Sequence, residues 1–275
     1  MTVASENSSS GSSSANGFDD RFGGSRRLYG SDAVDKLRQS HVCVIGIGGV
    51  GSWAAEALAR TGVGTITLID LDDVCVTNIN RQLHATTETI GQSKCEVMAN
   101  RVRSINPECQ CHVIEDFITA DNLSELISQD FDYVLDAIDS FRVKAALINH
   151  CKRNKIPVIT TGGAGGQMDP TQIQITDLTK TWHDPLARKV KSHLKDFHGF
   201  TKNSKRKFGV DCVFSSEQAV YPQPDGTVCQ QKPSGLGSTK MDCASGFGAS
   251  TVVTATFGFV AVSRIIKKLT ESAPR

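Results

Sequence analysis

The sequence predicts an α/β protein of the Rossmann-like class, in which a mostly parallel sheet carries helices on both faces. Short β-branched runs bounded by Gly, Pro or Asp alternate with amphipathic stretches of helix length. This alternation is typical of βαβ units, whose strands pair in parallel. The first run also leads through a glycine-rich turn, residues 46–51, directly into a helix-like stretch. A strand, a glycine turn and a helix in that order indicate a nucleotide site.

The elements follow one another with short connections. The predicted strands are 41–46, 65–70, 111–116, 133–138 and 156–161. The predicted helices between them are 50–62, 91–105, 121–129 and 140–154. After Pro170, the run TQIQITDL alternates apolar and polar side chains and predicts one more strand. Residues 19–269 are therefore expected to form one domain, with the C-terminal part as an extension of it.

A further helix is expected to begin at Asp184, because a capping Asp followed by Pro at the first helical position is a common helix start. Its apolar face is predicted to contain Leu186, Val190, Leu194 and Phe197. This helix belongs to a basic insertion, residues 180–207, which has nine Lys or Arg against two Asp, whereas the whole chain is only +1. The insertion is interpreted either as a surface for a polyanion such as RNA or as a solvated helix face with a floppy loop. The candidate RNA-binding residues are Arg188, Lys189, Lys191, Lys195, Lys205, Arg206 and Lys207.

The two ends of the chain differ from the rest in composition. Residues 1–18 are rich in Ser, Asn and Gly and are predicted to form a disordered tail. They lack the features of a secretory signal or transit peptide, so a cytoplasmic location is expected. Residues 244–263 carry no charge, and nine of the twenty are Gly, Ser or Thr. We favour a glycine loop and a helix buried in the core or at a dimer interface over a membrane span, and expect no integral membrane association.

The glycine turn contains Gly46, Gly48, Gly49 and Gly51, which allow a tight turn and close approach to a phosphate. Asp70 ends the second strand, where a carboxylate can accept hydrogen bonds from ribose hydroxyls. The spacing of these glycines also satisfies the dinucleotide fingerprint, so an NAD-dependent oxidoreductase remains an alternative at this point.

The residues that follow favour a triphosphate. Arg81 follows the second strand and Lys94 lies at the start of the next helix. Charge that builds on phosphates in a transition state needs fixed cations of this kind, although both residues could be ordinary surface charges. Asp139 follows the fourth strand, where a carboxylate suits Mg²⁺ bridging phosphates, whereas Asp136 is interpreted as structural. The candidate catalytic residues are therefore Arg81, Lys94 and Asp139.

These motifs, GIGGVG, LIDLDDVCVTNINRQ, GQSK and LDAIDS, resemble the adenylating domain of the ubiquitin-activating superfamily, which includes the molybdopterin and thiamine sulfur-carrier activators. Such enzymes attach AMP to a carboxylate. The resemblance implies that Asp70 holds the ribose of ATP and that Asp139 holds magnesium. It also implies that Asn78, Arg81 and Lys94 contact the phosphates, with Asp72 beside them.

Two features depart from the sulfur-carrier branch. That branch carries a CxxC…CxxC zinc site, whereas the nine cysteines here include no CxxC pair and are expected to be reduced thiols. The superfamily resemblance also implies a homodimer in which the second Arg of an N-terminal pair reaches the partner's site. Here Arg21 is present, Gly24 occupies the second position, and Arg26 or Arg27 remains open as the substitute.

A closer resemblance covers residues 19–268. The stretches RFGG…RLYG, GGAGGQMDPTQIQ, GVDCVFS and MDCASGFGA are similar to those of the tRNA threonylcarbamoyladenosine dehydratases, or cyclases. This resemblance implies an ATP-dependent enzyme with tRNA as substrate. The threonyl carboxylate beside the anticodon would be adenylated, and the carbamoyl group of the same modification would then close a ring. That step is intramolecular and requires no enzyme nucleophile.

The roles of two sets of residues remain open. Cys243 and Cys212 each follow an Asp. They are interpreted as buried thiols, or alternatively as contacts in a sulfur relay with a cysteine desulfurase and its sulfur acceptor, acting on a carrier protein. The four glycines in TTGGAGGQMDP, residues 160–170, allow close approach to a ligand or to a monovalent cation, K⁺ or Na⁺; a packing role is the alternative.

Overall fold

A computed structural model describes residues 17–223, 225–231 and 247–271. Its main sheet has seven strands in the order β3-β2-β1-β4-β5-β7-β6. All neighbouring pairs are parallel except β6 with β7. The mostly parallel α/β class predicted from the sequence is confirmed. The strands are β1 His41–Ile45, β2 Thr65–Ile69, β3 Gln110–Ile114, β4 Tyr133–Asp136, β5 Val158–Thr161, β6 Ile173–Asp177 and β7 Asp211–Ser215; a small hairpin adds β8 Tyr221–Pro222 and β9 Val228–Cys229.

Helices cover both faces of the sheet, as predicted. The helices are α1 Phe18–Tyr29, α2 Ser31–Gln39, α3 Gly51–Thr61, α4 Lys94–Ile105, α5 Leu123–Leu126, α6 Phe141–Arg153, α7 Pro185–Phe197 and α8 Thr251–Thr270. One core layer packs α3, α4 and α8 against the sheet, and the opposite layer packs α5, α6 and α7. Alternate residues of β1 divide between the two, with Val42 and Val44 on one side and Cys43 and Ile45 on the other.

Helices α1 and α2 were not predicted, and the structure shifts the N-terminal boundary of the ordered domain to before Phe18. Phe18, which was assigned to the disordered tail, begins α1 and is 4% exposed. Its ring packs with Phe22 and Val34 in a separate small cluster. The sequence of α1 contains two glycines and little apolar periodicity, so its helical signal is weak. The rest of the predicted tail, residues 1–16, lies outside the described residues.

Three further details differ from the prediction. Helix α5 is limited to Leu123–Leu126 rather than 121–129. Helix α4 begins at Lys94 because the Ser93 side chain caps it by accepting a hydrogen bond from the Glu96 amide. In α7, Leu186, Val190 and Leu194 are buried as predicted. Phe197 is 73% exposed, because it lies on the last turn of the helix, beyond the core layer.

Helix α8 contains much of the uncharged C-terminal segment. It packs on α3 and on strands β5, β6 and β7, as expected for a buried helix. Gly258 permits close packing, since a Cβ there would lie 2.8 Å from the Val50 carbonyl oxygen. Within residues 17–223, 225–231 and 247–271, no helix is long and apolar enough to cross a membrane.

Candidate active site

A cleft of about 1280 Å³ opens at the carboxyl ends of β1, β2, β4 and β5. This is the edge at which open α/β sheets bind ligands. Its lining includes most of the predicted nucleotide-site residues, namely Gly46, Gly48, Gly49, Asp70, Asp72, Asn78, Arg81, Lys94 and Asp139. The structure therefore brings these residues together, although they span almost a hundred positions of the chain.

The glycine turn connects β1 to α3 and forms one wall of the cleft. Gly46 has φ of 86°, a conformation that favours glycine. Gly51 is not itself part of the lining, but a Cβ there would overlap the Gly46 carbonyl oxygen. The predicted glycines thus have two roles: Gly48 and Gly49 present backbone to the cleft, while Gly51 lets the helix start pack against the turn.

Asp70 connects the glycine turn with the end of β2. One carboxylate oxygen accepts a 2.6 Å hydrogen bond from the Ile47 amide, and the other accepts a 2.9 Å bond from the Asp72 amide. Burial raises the pKa of Asp70, against the opposing effect of these hydrogen bonds and of Lys94. Each oxygen retains a lone pair, so the carboxylate can also accept hydrogen bonds from ribose hydroxyls.

Two cations lie on the wall that follows β2. Lys94 is buried, and its Nζ lies 2.7 Å from Asp72 Oδ2, whose side chain is half exposed. Arg81 Nη1 donates to the Thr77 carbonyl at 2.7 Å and to Asn80 Oδ1 at 3.0 Å. These bonds orient the guanidinium and leave most of its donors for a ligand. The pair supplies fixed positive charge at the cleft, as phosphate chemistry requires.

Asn78 differs from these cations because its oxygen is already engaged. It is 3% exposed, and its Oδ1 accepts a hydrogen bond from the Cys75 amide at 3.0 Å. This bond closes the short 3-10 turn Val76–Asn78, which includes the Thr77 carbonyl that holds Arg81. Asn78 therefore positions Arg81, and its amide nitrogen remains the group that could donate to a phosphate.

Asp136 and Asp139 have different environments at the end of β4. Asp136 is completely buried, lies 2.9 Å from Lys144 Nζ and accepts a 2.6 Å hydrogen bond from the Thr160 hydroxyl. Its interpretation as a structural carboxylate is confirmed. Asp139 is exposed on the cleft wall and makes no ion pair within the described part of the chain. Lys144 was not predicted as a partner of Asp136; the available signal was its position on the buried side of an amphipathic helix.

The glycines after β5 pack closely against α7. Asp184 caps α7 by accepting a 2.8 Å hydrogen bond from the Ala187 amide, and its other oxygen accepts a 3.0 Å bond from the Gly163 amide. A Cβ on Gly162 would overlap this second oxygen. Gly162, Gly163 and Gly165 also line the cleft. The packing role is therefore present, and the loop also faces the ligand space.

In the basic insertion, two of the seven candidate RNA-binding side chains, Lys191 and Lys195, are less exposed than the sequence suggested. Arg188, Lys189, Lys205, Arg206 and Lys207 are exposed, and Lys195 is half-buried. Lys191 differs because its Nζ donates to the Thr181 carbonyl at 2.8 Å, which reduces its availability to a phosphate. Helix α7 packs along α6, as its predicted apolar face requires, and the choice between an RNA-binding surface and a solvated helix face stays open at this point.

Cys212, the candidate thiol that lies among the described residues, gives no support to a sulfur relay. Cys212 is completely buried in β7, and burial raises its pKa well above the ordinary range. A thiol in that environment is inert, so its structural interpretation is confirmed. Cys243 lies outside the described residues. Across the ranges that are described, no cluster of His, Cys, Asp and Glu could hold a metal by itself.

Comparison with known proteins identifies the family. The model of the ThiF family matches residues 24–275, which is more than nine-tenths of the chain. The chain belongs to the ThiF family. This membership confirms the predicted resemblance and favours adenylation over the nicotinamide alternative, since the cations beside the ThiF glycine turn suit a triphosphate.

Individual relatives match most of the chain. The chain is 64% identical to the tRNA threonylcarbamoyladenosine dehydratase of Escherichia coli (strain K12) over 255 residues, covering 93% of this chain and 95% of that protein. It is 41% identical to the tRNA threonylcarbamoyladenosine dehydratase of Bacillus subtilis (strain 168), covering 74% and 78%. A crystal structure of the E. coli dehydratase, TcdA, in complex with ATP superposes with a TM-score of 0.83 at 58% identity, covering 93% and 96%.

The buried imidazole of His84 allows a test of the protein's packing next to the cleft. It is 3% exposed, and neither ring nitrogen has a hydrogen-bond partner among the described residues. Burial, with a contribution from Lys94, lowers its pKa from 6.5 to about 4. The unfolded state therefore binds a proton at higher pH than the folded state does. The contribution of His84 to stability is complete above pH 6.5 and is lost as the pH falls towards 4.

We expect wild-type protein to lose about 3 kcal/mol more unfolding free energy than His84→Leu between pH 6.5 and 4, since one pKa unit is about 1.4 kcal/mol. Denaturant unfolding at several pH values measures both slopes, and the carboxylates that titrate in this range are common to the two proteins. Parallel pH profiles for the two proteins would contradict the assignment of a neutral buried imidazole.

Proposed function

We propose that this protein is an ATP-dependent tRNA threonylcarbamoyladenosine dehydratase, which adenylates the threonyl carboxylate of the modified adenosine and then closes it into a ring. The observation that carries the proposal is the convergence of Arg81, Lys94, Asp70 and Asp139 on one cleft with the glycine turn. The high identity to the E. coli dehydratase supports the choice of substrate. Since tRNA is the substrate, the enzyme would act in the cytoplasm.

In the first step, a threonyl carboxylate oxygen attacks the α-phosphorus of ATP, and the bond to the β-phosphate bridging oxygen breaks. Diphosphate leaves and an acyl adenylate forms. Negative charge builds on the phosphate oxygens during this step, and Arg81 and Lys94 lie where fixed cations can stabilise it. Asp70, held by two backbone amides, would accept hydrogen bonds from the ribose and position the nucleotide.

In the second step, the carbamoyl group of the same modification attacks the activated acyl carbon. The acyl–phosphate bond breaks, AMP leaves with the former carboxylate oxygen, and the carbamoyl group loses a proton. Relative to the starting nucleoside, the product has lost one water. Both reacting groups belong to one nucleoside, so the protein mainly needs to exclude water and hold the geometry.

The decisive experiment treats tRNA that carries the uncyclised modification with purified protein and ATP. We expect a nucleoside lighter by one water, with AMP and diphosphate formed in equal amounts. Mass spectrometry of digested tRNA and chromatography of the nucleotides measure these products. An unchanged nucleoside despite tRNA binding would contradict the proposal, and omission of ATP is the control.

We further propose that Asp139 holds Mg²⁺ together with phosphate oxygens and water. The fit is chemical: an exposed carboxylate without an ion pair among the described residues lies on the cleft wall, and Mg²⁺ sites in nucleotide enzymes use one or two carboxylates. A bound magnesium ion would neutralise charge on the phosphates.

We expect Asp139→Asn to raise the Mg²⁺ concentration for half-maximal AMP formation at least tenfold, as a magnesium titration at saturating ATP would measure. Asp130→Asn, which changes an exposed acid away from the cleft lining, should leave it unchanged.

We also propose a homodimer in which Arg27 reaches the partner's cleft. Arg26 is already engaged within one chain, at 2.8 Å from both Asp19 and Asp35, and Arg21 donates to the Ile105 carbonyl. Arg27 is exposed on the same helix. Mixing Arg27→Ala with Lys94→Met protein should restore activity, because one of the two sites in the mixed dimer would then be intact.

A monovalent cation, K⁺ or Na⁺, is proposed at the glycine loop after β5. Gln167 supports it, because its Oε1 is buried without a hydrogen-bond partner within the described residues, while its Nε2 donates to the Gly163 carbonyl. A buried carbonyl oxygen without a partner is the ligand type that such cations prefer.

A further inference from the structure

Helices α6 and α7 together carry a short row of aromatic rings on the protein surface. Phe141, the first residue of α6, meets the His193 ring nearly edge-on at a centroid distance of 5.6 Å. His193 in turn lies 4.5 Å from Phe197, whose side chain is 73% exposed. We call Phe141, Arg142, Lys189, His193 and Phe197 the aromatic face. Its α7 members recur every four residues, so they form one stripe about 12 Å long.

Cations accompany these rings. The Arg142 guanidinium carbon lies 5.2 Å from the centroid of the Phe141 ring, and Lys189 Nζ lies 5.7 Å from the same centroid. Within residues 180–207 one acid is buried, Asp184, and the other, Asp196, is exposed and bonded to Ser192. The exposed Lys and Arg residues of 202–207 follow α7 directly. The aromatic face itself therefore contains two cations, Arg142 and Lys189, and no acid.

The aromatic face begins at the rim of the cleft. Asp139 and Ser140 line the cleft and immediately precede Phe141. Val143 and Leu186 line it from the first turns of α6 and α7. An RNA strand whose reactive base enters the cleft could therefore place its neighbouring bases along α7, because the cleft and the aromatic face adjoin each other.

We propose that the aromatic face stacks the unpaired anticodon-loop bases adjacent to the modified adenosine, and so positions that adenosine in the cleft. This inference rests on the proposed function. Single-stranded RNA loops are recognised by bases stacked on aromatic rings and Arg planes, combined with cations that follow the phosphates. The stripe length matches three to four stacked bases at about 3.4 Å each. Phe141 and Phe197 supply ring surface, and Lys189 and Arg142 supply charge.

The first test measures binding of a modified anticodon stem-loop to the full-length protein without ATP. We expect Phe197→Ala to raise Kd about 5- to 150-fold, the range for loss of one base–aromatic stack. Phe197→Leu is a matched control that keeps apolar volume, and it should bind the stem-loop as weakly as Phe197→Ala does. Phe197→Trp should bind it with wild-type affinity. Wild-type affinity in Phe197→Ala, or equal rescue by Leu and Trp, would overturn the proposal.

The salt dependence separates stacking from charge. Lys189→Gln should reduce the slope of log Kd against log salt by about 0.7, as expected for one lost contact to a single-stranded phosphate. Phe197→Ala should weaken binding at every salt concentration while leaving the slope unchanged. A changed slope in Phe197→Ala, with none in Lys189→Gln, would overturn the assigned roles.

These measurements do not depend on catalysis, so the two proposals can fail separately. If wild-type protein forms no dehydrated nucleoside, the proposed function fails, and the binding series still tests the aromatic face. If wild-type protein is active and Phe197→Ala has an unchanged kcat/KM for tRNA, the aromatic face fails while the function stands. We expect the kcat/KM of Phe197→Ala for tRNA to fall, with the KM for ATP unchanged.

Discussion

Lys94→Met is expected to reduce AMP formation about 100- to 1000-fold at saturating ATP and tRNA, the usual effect of removing one fixed group that stabilises developing charge. The substitution keeps the length of the apolar stem and removes the ammonium group. The fold should survive, because the partner carboxylate, Asp72, is 55% exposed and can return to water. The loss should therefore appear in kcat rather than in the melting temperature.

The measurement combines single-turnover AMP formation with thermal unfolding of the same preparations. Lys268→Met provides the matched control, because Lys268 is an exposed lysine that pairs with Glu271 near the end of α8 and does not line the cleft. It should retain wild-type turnover. If Lys94→Met kept more than a tenth of wild-type activity while folded, the role of Lys94 in charge stabilisation would be wrong.

The second large effect concerns folding stability. Lys144→Met is expected to lower the unfolding free energy by about 3–5 kcal/mol, since removal of one partner leaves the Asp136 charge buried. Both side chains are almost completely inaccessible, at 1% and 0% exposure. Lys144 also donates to the Thr160 hydroxyl and to the Asp136 carbonyl. Water cannot replace these contacts without opening the sheet.

The double variant Asp136→Asn/Lys144→Met should recover at least half of that loss, because it no longer buries an unpaired charge. Denaturant unfolding at neutral pH measures both variants. Lys267→Met, which removes an exposed i,i+4 pair with Glu271, should leave stability unchanged within error. A double variant less stable than Lys144→Met would show that the ion pair is not the source of the effect.

Strands β1, β2, β4 and β5 were predictable because each is a short apolar run enclosed by its neighbours, whereas β7 was not predicted although it is similarly buried. β1, β2 and β4 are buried over nearly every residue, and such runs are visible without knowledge of their partners. The nucleotide site was predictable for the same reason, since the residues that line it directly follow strands whose carboxyl ends share one edge. Asp70 and Asp139 are examples.

Other features depend on partners distant in the chain. The role of Lys144 requires Asp136 and Thr160 from two different strands. The exposure of Phe197 depends on where the core layer ends beneath α7. Its neighbour His193 contacts Phe141, which lies more than fifty positions earlier in the chain. Helix α1 is held by Phe18 and Phe22 against α2 rather than by its own propensity. Apart from the sheet-facing position of Lys144 on its helix, none of these arrangements has a local signature.

Asp184 joins two parts of the molecule that have different tasks. Its carboxylate holds the Gly163 amide with one oxygen and the start of α7 with the other. The fit is tight, because a single methyl group on Gly162 could not be accommodated. A force that a large substrate exerts on α7 would therefore be transmitted to the glycine loop that lines the cleft. Substrate docking on the outer surface and substrate alignment inside the cleft would then be mechanically coupled.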